Sequence, residues 1–293
     1  MIPDTRRATV EPYSSSLVMT KKKCNWDADI LPASPTKCFQ ESPVLPRICI
    51  APARAMYVGP GLQLAPHSNA AATIAIALKE SFSLRTFKPP SGWSEWRSCM
   101  SALIPSETLH HIKSDGPLAF LYLDPVTDRQ HPLTQEALDQ GRAQLLQMDP
   151  KFGIHDAFGA FDIQPQRARD ARIQRVVLEI EKRPAAFGRL AEAAELACLS
   201  PSRFRARFQV AVGLPFRRYR MWRRMAIVMR AVAQGQSLTT AAIESGFSSS
   251  AHLSSAFKGM FGLSASEVIA MGVALDISED RVEALGSIQV QKK

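Results

Sequence analysis

Apolar and polar positions alternate along one stretch of the chain and recur every three or four residues along another. Arg54 to Val58 is a short apolar run closed by the turn Gly59-Pro60-Gly61. Thr73 to Leu78 alternates, with Ile74, Ile76 and Leu78 on one face. Phe82 to Phe87 follows, then the breaker Lys88-Pro89-Pro90-Ser91-Gly92, then Leu103-Ile104-Pro105 and Leu118 to Leu123. Short strands at this spacing, with no helical pattern between them, predict a small β-sandwich or barrel. From Leu133 the period becomes helical. Thr134 is placed to cap a helix carrying Ala137, Leu138, Leu145 and Leu146, which ends near Asp149-Pro150. Phe152 to Pro165 has no clear period and reads as an interdomain linker, after which the pattern is helical to about Ala270.

The helical segment repeats one design. Leu190, Ala193, Ala194 and Ala197 form a short apolar face, Cys198-Leu199 turns, and Ser200 caps with Pro201 at the first helical position. Phe204 and Phe208 then anchor a second helix that ends at Gly213. Further on, Ser237 caps Leu238, Ala241, Ala242 and Ile243, and Gly246-Phe247 turns. Ser248 or Ser249 caps again, and Leu253, Phe257 and Phe261 anchor a helix ending at Gly262. Short helix, tight turn and longer helix, twice and in step, make two helix-turn-helix units. Leu214-Pro215 opens a long helix between them, with Phe216, Tyr219, Trp222, Ala226, Met229 and Ala233 as its buried face. Arg217, Arg218, Arg220, Arg223, Arg224 and Arg230 fill much of the rest. At 1.5 Å per residue that helix spans about 30 Å, against about 34 Å between major grooves on one face of B-DNA.

Charge sharpens the picture. Residues 166–270 hold 17 Lys and Arg against 7 Asp and Glu, whereas residues 1–165 hold 16 of each, so the net charge of +9 belongs to the helical segment. A polyanion partner is the implication. The 46% apolar and 22% charged content excludes wholesale disorder. No apolar run reaches the ~20 residues of a membrane span. The start of the chain lacks the apolar stretch of a signal peptide. Five scattered cysteines with no C-x-x-C pair read as reduced thiols in a cytoplasmic protein. Residues 1–45, rich in Pro, Ser and Lys, read as a tail or irregular lead-in, and residues 271–293 as a polar tail.

Residues 170 to 268 resemble the DNA-binding domain of AraC/XylS-type bacterial transcription regulators. The landmarks are Leu199-Ser200-Pro201, Phe204, Phe208, Gly213, Tyr219 and Arg224, then Ala242, Gly246-Phe247, Leu253, Phe257-Lys258, Phe261-Gly262 and Ser264. The resemblance implies double-stranded DNA and RNA polymerase as partners. Cys198 stands where that family usually has Gly, implying a tighter or strained turn. Ala206 and Ser255 replace frequent DNA-contacting Arg, and Ala265 a common Pro. Individual contacts are therefore read from this chain's own solvent faces. Ser202, Arg203, Arg205 and Gln209 are reachable on the first recognition helix. Arg205 is the first candidate for a base contact, since a guanidinium makes two hydrogen bonds to guanine, with a phosphate contact or a merely solvated side chain as the alternatives. Arg203 and Arg207 are assigned phosphates. The second recognition helix offers Ser250, Ala251, His252 and Ser254, all short or weakly donating and suited to shape and backbone readout, with Lys258 further along as another DNA-binding candidate.

Residues from about 54 to 125 resemble the cupin-like sensor half of some AraC-type regulators. The match is carried by Tyr57-Val58-Gly59-Pro60-Gly61, Pro66-His67, Leu103-Ile104-Pro105 with His110, and Leu121-Tyr122-Leu123-Asp124-Pro125. Metal-binding cupins use a His-x-His pair, a carboxylate and a later His. Here the pair reads His67-Ser68-Asn69, so no metal and no cofactor is expected. His67, Asn69 and His110 at a barrel mouth would instead hydrogen-bond a small-molecule effector, or simply be packed. The helix from Thr134 pairs with its twin in a homodimer or packs on its own barrel. The whole reads as an α+β protein of two domains. A cupin-like β-barrel spans residues 46–132, a helix and linker 133–165, and an all-α DNA-binding domain with two helix-turn-helix units 166–270. The expected function is a sequence-specific, non-enzymatic transcription regulator. A metal-dependent cupin enzyme with an accessory DNA-binding domain and an effector-independent regulator are the alternatives.

Overall fold

The computed structural model describes residues 45–278, apart from 53, 129–132, 164–169 and 184. The expected lead-in before residue 45 and the tail after residue 278 lie outside the described residues. The strands are β1 (Arg47–Ile50), β2 (Ala55–Gly59), β3 (His67–Ser68), β4 (Thr73–Ala77), β5 (Phe82–Lys88), β6 (Gly92–Trp93), β7 (Arg97–Cys99), β8 (Ser101–Ile104), β9 (Leu109–Lys113) and β10 (Leu118–Tyr122). Helices follow: α1 (Gln135–Gln147), α2 (Ile154–Gly159), α3 (Ala171–Lys182), α4 (Leu190–Leu196), α5 (Pro201–Val212), α6 (Phe216–Ala233), α7 (Leu238–Glu244), α8 (Ser250–Phe261) and α9 (Ala265–Ala270). A last strand, β11 (Ala274–Ile277), closes the described chain.

The strands form two sheets, ordered β11-β1-β2-β10-β4-β8 and β3-β9-β5-β6, with β7 also on β5. Among the described residues the two sheets do not join into the expected closed barrel. The second sheet ends in the two-residue strands His67–Ser68 and Gly92–Trp93, too short to bond across to the first. Alternation explains why every residue of β4 is buried. Ile74 and Ile76 face one side, where Val58, Ala119 and Leu121 meet Leu138, Phe152 and Phe158. Ala75 and Ala77 face the other, where Leu118 and Phe120 meet Phe82, Leu84 and Ile112 of the second sheet. Period-two patterning thus serves two cores at once.

Thr134 caps α1 by accepting from the Ala137 N–H at 3.2 Å. Its stripe of Leu138, Gly141 and Leu145 packs on the chain's own first sheet, and Gly141 leaves room for the Phe161 ring. The supposed linker at 152–165 is structured through residue 163. Phe152, Ile154, Ala157, Phe158, Phe161 and Ile163 are buried around the short helix α2, too brief to show a period. In α3, Ile173, Val176, Val177 and Ile180 mark one face of a regular helix. β11 occupies residues assigned to a polar tail and pairs in parallel with β1, Arg47 opposite Ala274 and Ile50 opposite Ile277. Its four residues are too few to show a strand period.

Candidate nucleic-acid interface and effector site

The two short-helix, turn, longer-helix pairs share one pattern of turn hydrogen bonds and serine caps. In the first turn Cys198 N–H donates to Glu195 O and Leu199 N–H to Ala194 O; in the second Gly246 N–H donates to Ile243 O and Phe247 N–H to Ala242 O. Gly246 sits at φ +83° and Cys198 at φ +54°, both in the left-handed region. Cys198 therefore adopts the glycine conformation and carries its cost, about 1 kcal/mol. Ser200 accepts from Arg203 N–H and Ser249 from His252 N–H, capping α5 and α8. Gly213 at φ +82° and Gly262 at φ +81° end them.

On α5, Phe204, Phe208 and Val212 are buried, so Ser202, Arg203, Arg205, Arg207 and Gln209 stand on the exposed side. Arg203 and Arg205 side chains have no partner among the described residues. Arg207 differs: its Nη1 lies 3.1 Å from Asp170 Oδ2, the carboxylate that caps α3. On α8, Ser250, His252 and Lys258 are exposed and Ser254 is half-buried. His252 Nδ1 contacts the Ser248 hydroxyl at 3.0 Å, and its ring meets Phe247 at 5.5 Å, so local structure holds this imidazole. Neither α5 nor α8 contains an acidic residue. The connecting α6 buries Phe216, Tyr219, Trp222 and Met229 as its pattern implies, and Arg223 with them. Arg223, expected at the surface, lies under α3 with Glu181 Oε1 at 3.9 Å. A charge on the apolar face breaks the sequence rule that reserves such positions for apolar residues.

His67 and His110 are register partners across β3 and β9, with ring centroids 4.2 Å apart. Each imidazole is buried, and each Nδ1 lies 2.8 Å from a backbone carbonyl, Ala65 O and Thr108 O respectively. Burial pushes His67 down to about 3 and lowers His110 as well, so both are neutral near pH 7. Asn69 donates to Thr73 Oγ1 at 3.0 Å, and its Oδ1 is buried without a partner, as is His110 Nε2. The expected trio is thus packed inside the protein, with two imidazoles and an amide as the donor set. Among the described residues no cluster of three or more His, Cys, Asp or Glu could hold a metal ion. No helix there is long and apolar enough to cross a membrane.

The helical half is docked on this region. Arg218 of α6 donates to Glu107 Oε1 at 2.8 Å and to Ser68 O at 2.6 Å. Ala65 N–H donates to Gly262 O at the end of α8. Tyr122 of β10 meets Trp222 and Phe261 at 5.9 and 5.6 Å. Beside these rings lies an apolar cavity of about 80 Å³, walled by β1, β2 and β10 on one side and α6, α8 and α9 on the other. None of His67, Asn69 or His110 lines it. This cavity leaves no signal in the sequence, because its lining residues satisfy the ordinary strand and helix periods and only the docking brings them together.

Residues 193–271 match a family described as a helix-turn-helix domain. No curated protein matches the chain. Among solved structures, an apo variant of ToxT from Vibrio cholerae is similar at TM-score 0.51 and 13% identity, over 75% of this chain and 97% of that one. Unsaturated fatty acid-bound ToxT from the same organism aligns at TM-score 0.47 and 12% identity, over 78% and 92% of the two chains.

Proposed function

With residues 193–271 a helix-turn-helix domain of the AraC type, we propose that this chain is a sequence-specific transcription regulator whose sheet-rich half senses a small molecule. The observation that carries the reading is the outer face of α5, which presents Arg203 and Arg205 beside Ser202 and Gln209, with no carboxylate on the helix. Such a face suits the major groove, where Arg205 reads a guanine and Arg203 holds a phosphate. Arg207 reaches a phosphate only by leaving Asp170, a modest cost for a surface pair. α8 is the second head, and Ser250, His252, Ser254 and Lys258 contact mainly backbone.

The two heads are joined by the 18 residues of α6, about 27 Å of rigid rod. That length is of the order of the groove repeat. The function-bearing segments are a sensor over 46–132, a helical connection over 133–165 and a DNA-binding region over 166–270. RNA polymerase is the downstream partner. A homodimer would have to use a surface other than the apolar stripe of α1, which the chain's own sheet covers. Arg205→Ala, measured by competition on a bound duplex and its single-base variants, is expected to cost about 1–3 kcal/mol and relax specificity at one base. Equal weakening on all sequences would refute the base contact.

A further inference from the structure

We infer that the outer face of the second sheet, with the groove at its β6 edge, binds single-stranded RNA. The observation that carries this is a row in which cations and indole rings alternate. Lys88 and Arg97 line a groove of about 320 Å³ together with the Trp93 ring. The Arg85 guanidinium lies 4.6 Å from the centroid of Trp93 and 4.5 Å from that of Trp96. The Lys113 ammonium follows at 5.2 Å from the Trp96 centroid. Strand alternation builds the row. Phe82, Leu84 and Ile112 turn into the core, so Arg85, Phe87, His111 and Lys113 turn out. Register then sets Arg85 opposite His111 and Phe87 opposite Trp93.

Charge decides the class of partner. Among the described residues none of Arg85, Lys88, Arg97 and Lys113 makes an ion pair. Glu95 is the one acidic residue between Phe82 and Cys99. Arg85 Nη2 donates to His111 Nδ1 at 3.3 Å, a neutral acceptor. Burial, then Arg85 and Lys113, hold that imidazole below its ordinary value, which marks the positive potential of this face. Cations with no carboxylate to balance them favour a polyanion.

The rings decide which polyanion. Trp96 keeps 38% of its surface exposed, and Trp93 is half-buried. An unpaired base stacks on such a ring, whereas the base faces of a duplex are covered by their neighbours. An acidic peptide would use the cations and leave the exposed indole idle. From Lys113, opposite Ser83, to Lys88 the row follows five steps along β5, about 17 Å, long enough for a short run of nucleotides. The sugar is settled in the groove. Thr86 and Ser91 line it, and their hydroxyls have no hydrogen-bond partner among the described residues. A ribose 2′-hydroxyl can both donate to and accept from such groups, and it is the group by which a protein tells RNA from DNA. No residue of α5 or α8 belongs to this face, so the binding does not depend on the regulator reading.

The test uses the full chain with a short oligouridylate as probe. Oligodeoxyuridylate of the same length and oligoglutamate are its counterparts, and the indole N–H resonances of Trp93 and Trp96 report on this face alone. Oligouridylate is expected to shift both indoles saturably, with the deoxy strand at least threefold weaker and oligoglutamate at least tenfold weaker. Lys88→Ser combined with Arg97→Ser removes two exposed, unpaired cations. It is expected to weaken RNA binding at least fivefold with the thermal midpoint unchanged. Trp96→Ala is expected to weaken it at least fivefold by removing a stacking surface. Unshifted indoles, oligoglutamate binding as tightly as RNA, or full RNA affinity in the Lys88 and Arg97 double variant or in Trp96→Ala would each overturn the assignment. Equal binding of the deoxy strand would overturn the choice of RNA. RNA binding at these indoles without sequence-specific duplex binding sinks the regulator reading alone, and the converse sinks the RNA face alone.

Discussion

Gly262, at the end of α8, is where that helix touches the sheet-rich half, and replacing it tests that docking. Its φ of +81° lies in the left-handed region, and a Cβ there would sit 2.7 Å from Ala65 O, 2.7 Å from His67 Nδ1 and 2.9 Å from Leu64 Cβ. Gly235 ends α6 at φ +91° with nothing within 4 Å of a built Cβ. Gly235→Ala therefore carries only the conformational term, about 1–2 kcal/mol. Gly262→Ala carries the same term plus a clash against a backbone oxygen that cannot swing away. Relieving it by shifting α8 forfeits the Ala65 N–H to Gly262 O bond. Overpacking adds about 1–3 kcal/mol, and the lost hydrogen bond about 1 kcal/mol. The expected total is about 3–6 kcal/mol, so the two variants should differ by about 2–4 kcal/mol in urea unfolding of the full chain. Agreement of the two within about 0.5 kcal/mol, the scatter expected of independent sites, would refute the docked arrangement.

Cys198→Gly relieves left-handed strain at φ +54° while loosening the unfolded chain, for a net gain of up to about 1 kcal/mol in thermal unfolding. A loss of more than 1 kcal/mol would mean the side chain itself is needed. Burial pushes the Asp124 carboxyl up to about 6 from its ordinary 3.8, with Asp128 adding to the rise and Val126, Thr127 and Arg223 opposing it. The folded protein therefore holds a proton that the unfolded chain releases between those values. The resulting stability is full below about pH 4 and is lost as pH rises through 6, in all about 3 kcal/mol. Asp124→Asn should remove that slope in urea midpoints measured from pH 4 to 7, and an unchanged slope would contradict it.

Regular elements were legible where one side chain per turn or per alternation meets a single core. Ile74 and Ile76, Phe204 and Phe208, and the caps Ser200 and Ser249 stand where the pattern put them. Three features escaped because their causes are tertiary. β11 is only Ala-Leu-Asp-Ile, and it is a strand because β1 offers an open edge. Sheet closure fails at His67–Ser68 and Gly92–Trp93, a matter of strand length that no periodicity reports. Arg223 is buried because α3 covers that face of α6 and supplies Glu181. The recognition-helix candidates were readable from helical period alone, since buried Phe204 and Phe208 dictate which residues face out. The cavity was not, because its two walls lie up to 220 positions apart, from Ile48 to Val268.

The central claim, that α5 and α8 act together as a paired reader of duplex DNA, is tested most directly by selecting bound sequences from a random duplex pool with the full chain. The selection is repeated at several salt concentrations. The account predicts an enriched motif with a strong element, read by α5, and a weaker one about one helical turn, ~34 Å, away. That enrichment should persist as salt rises. No enriched sequence, with affinity collapsing steeply in salt, would contradict it.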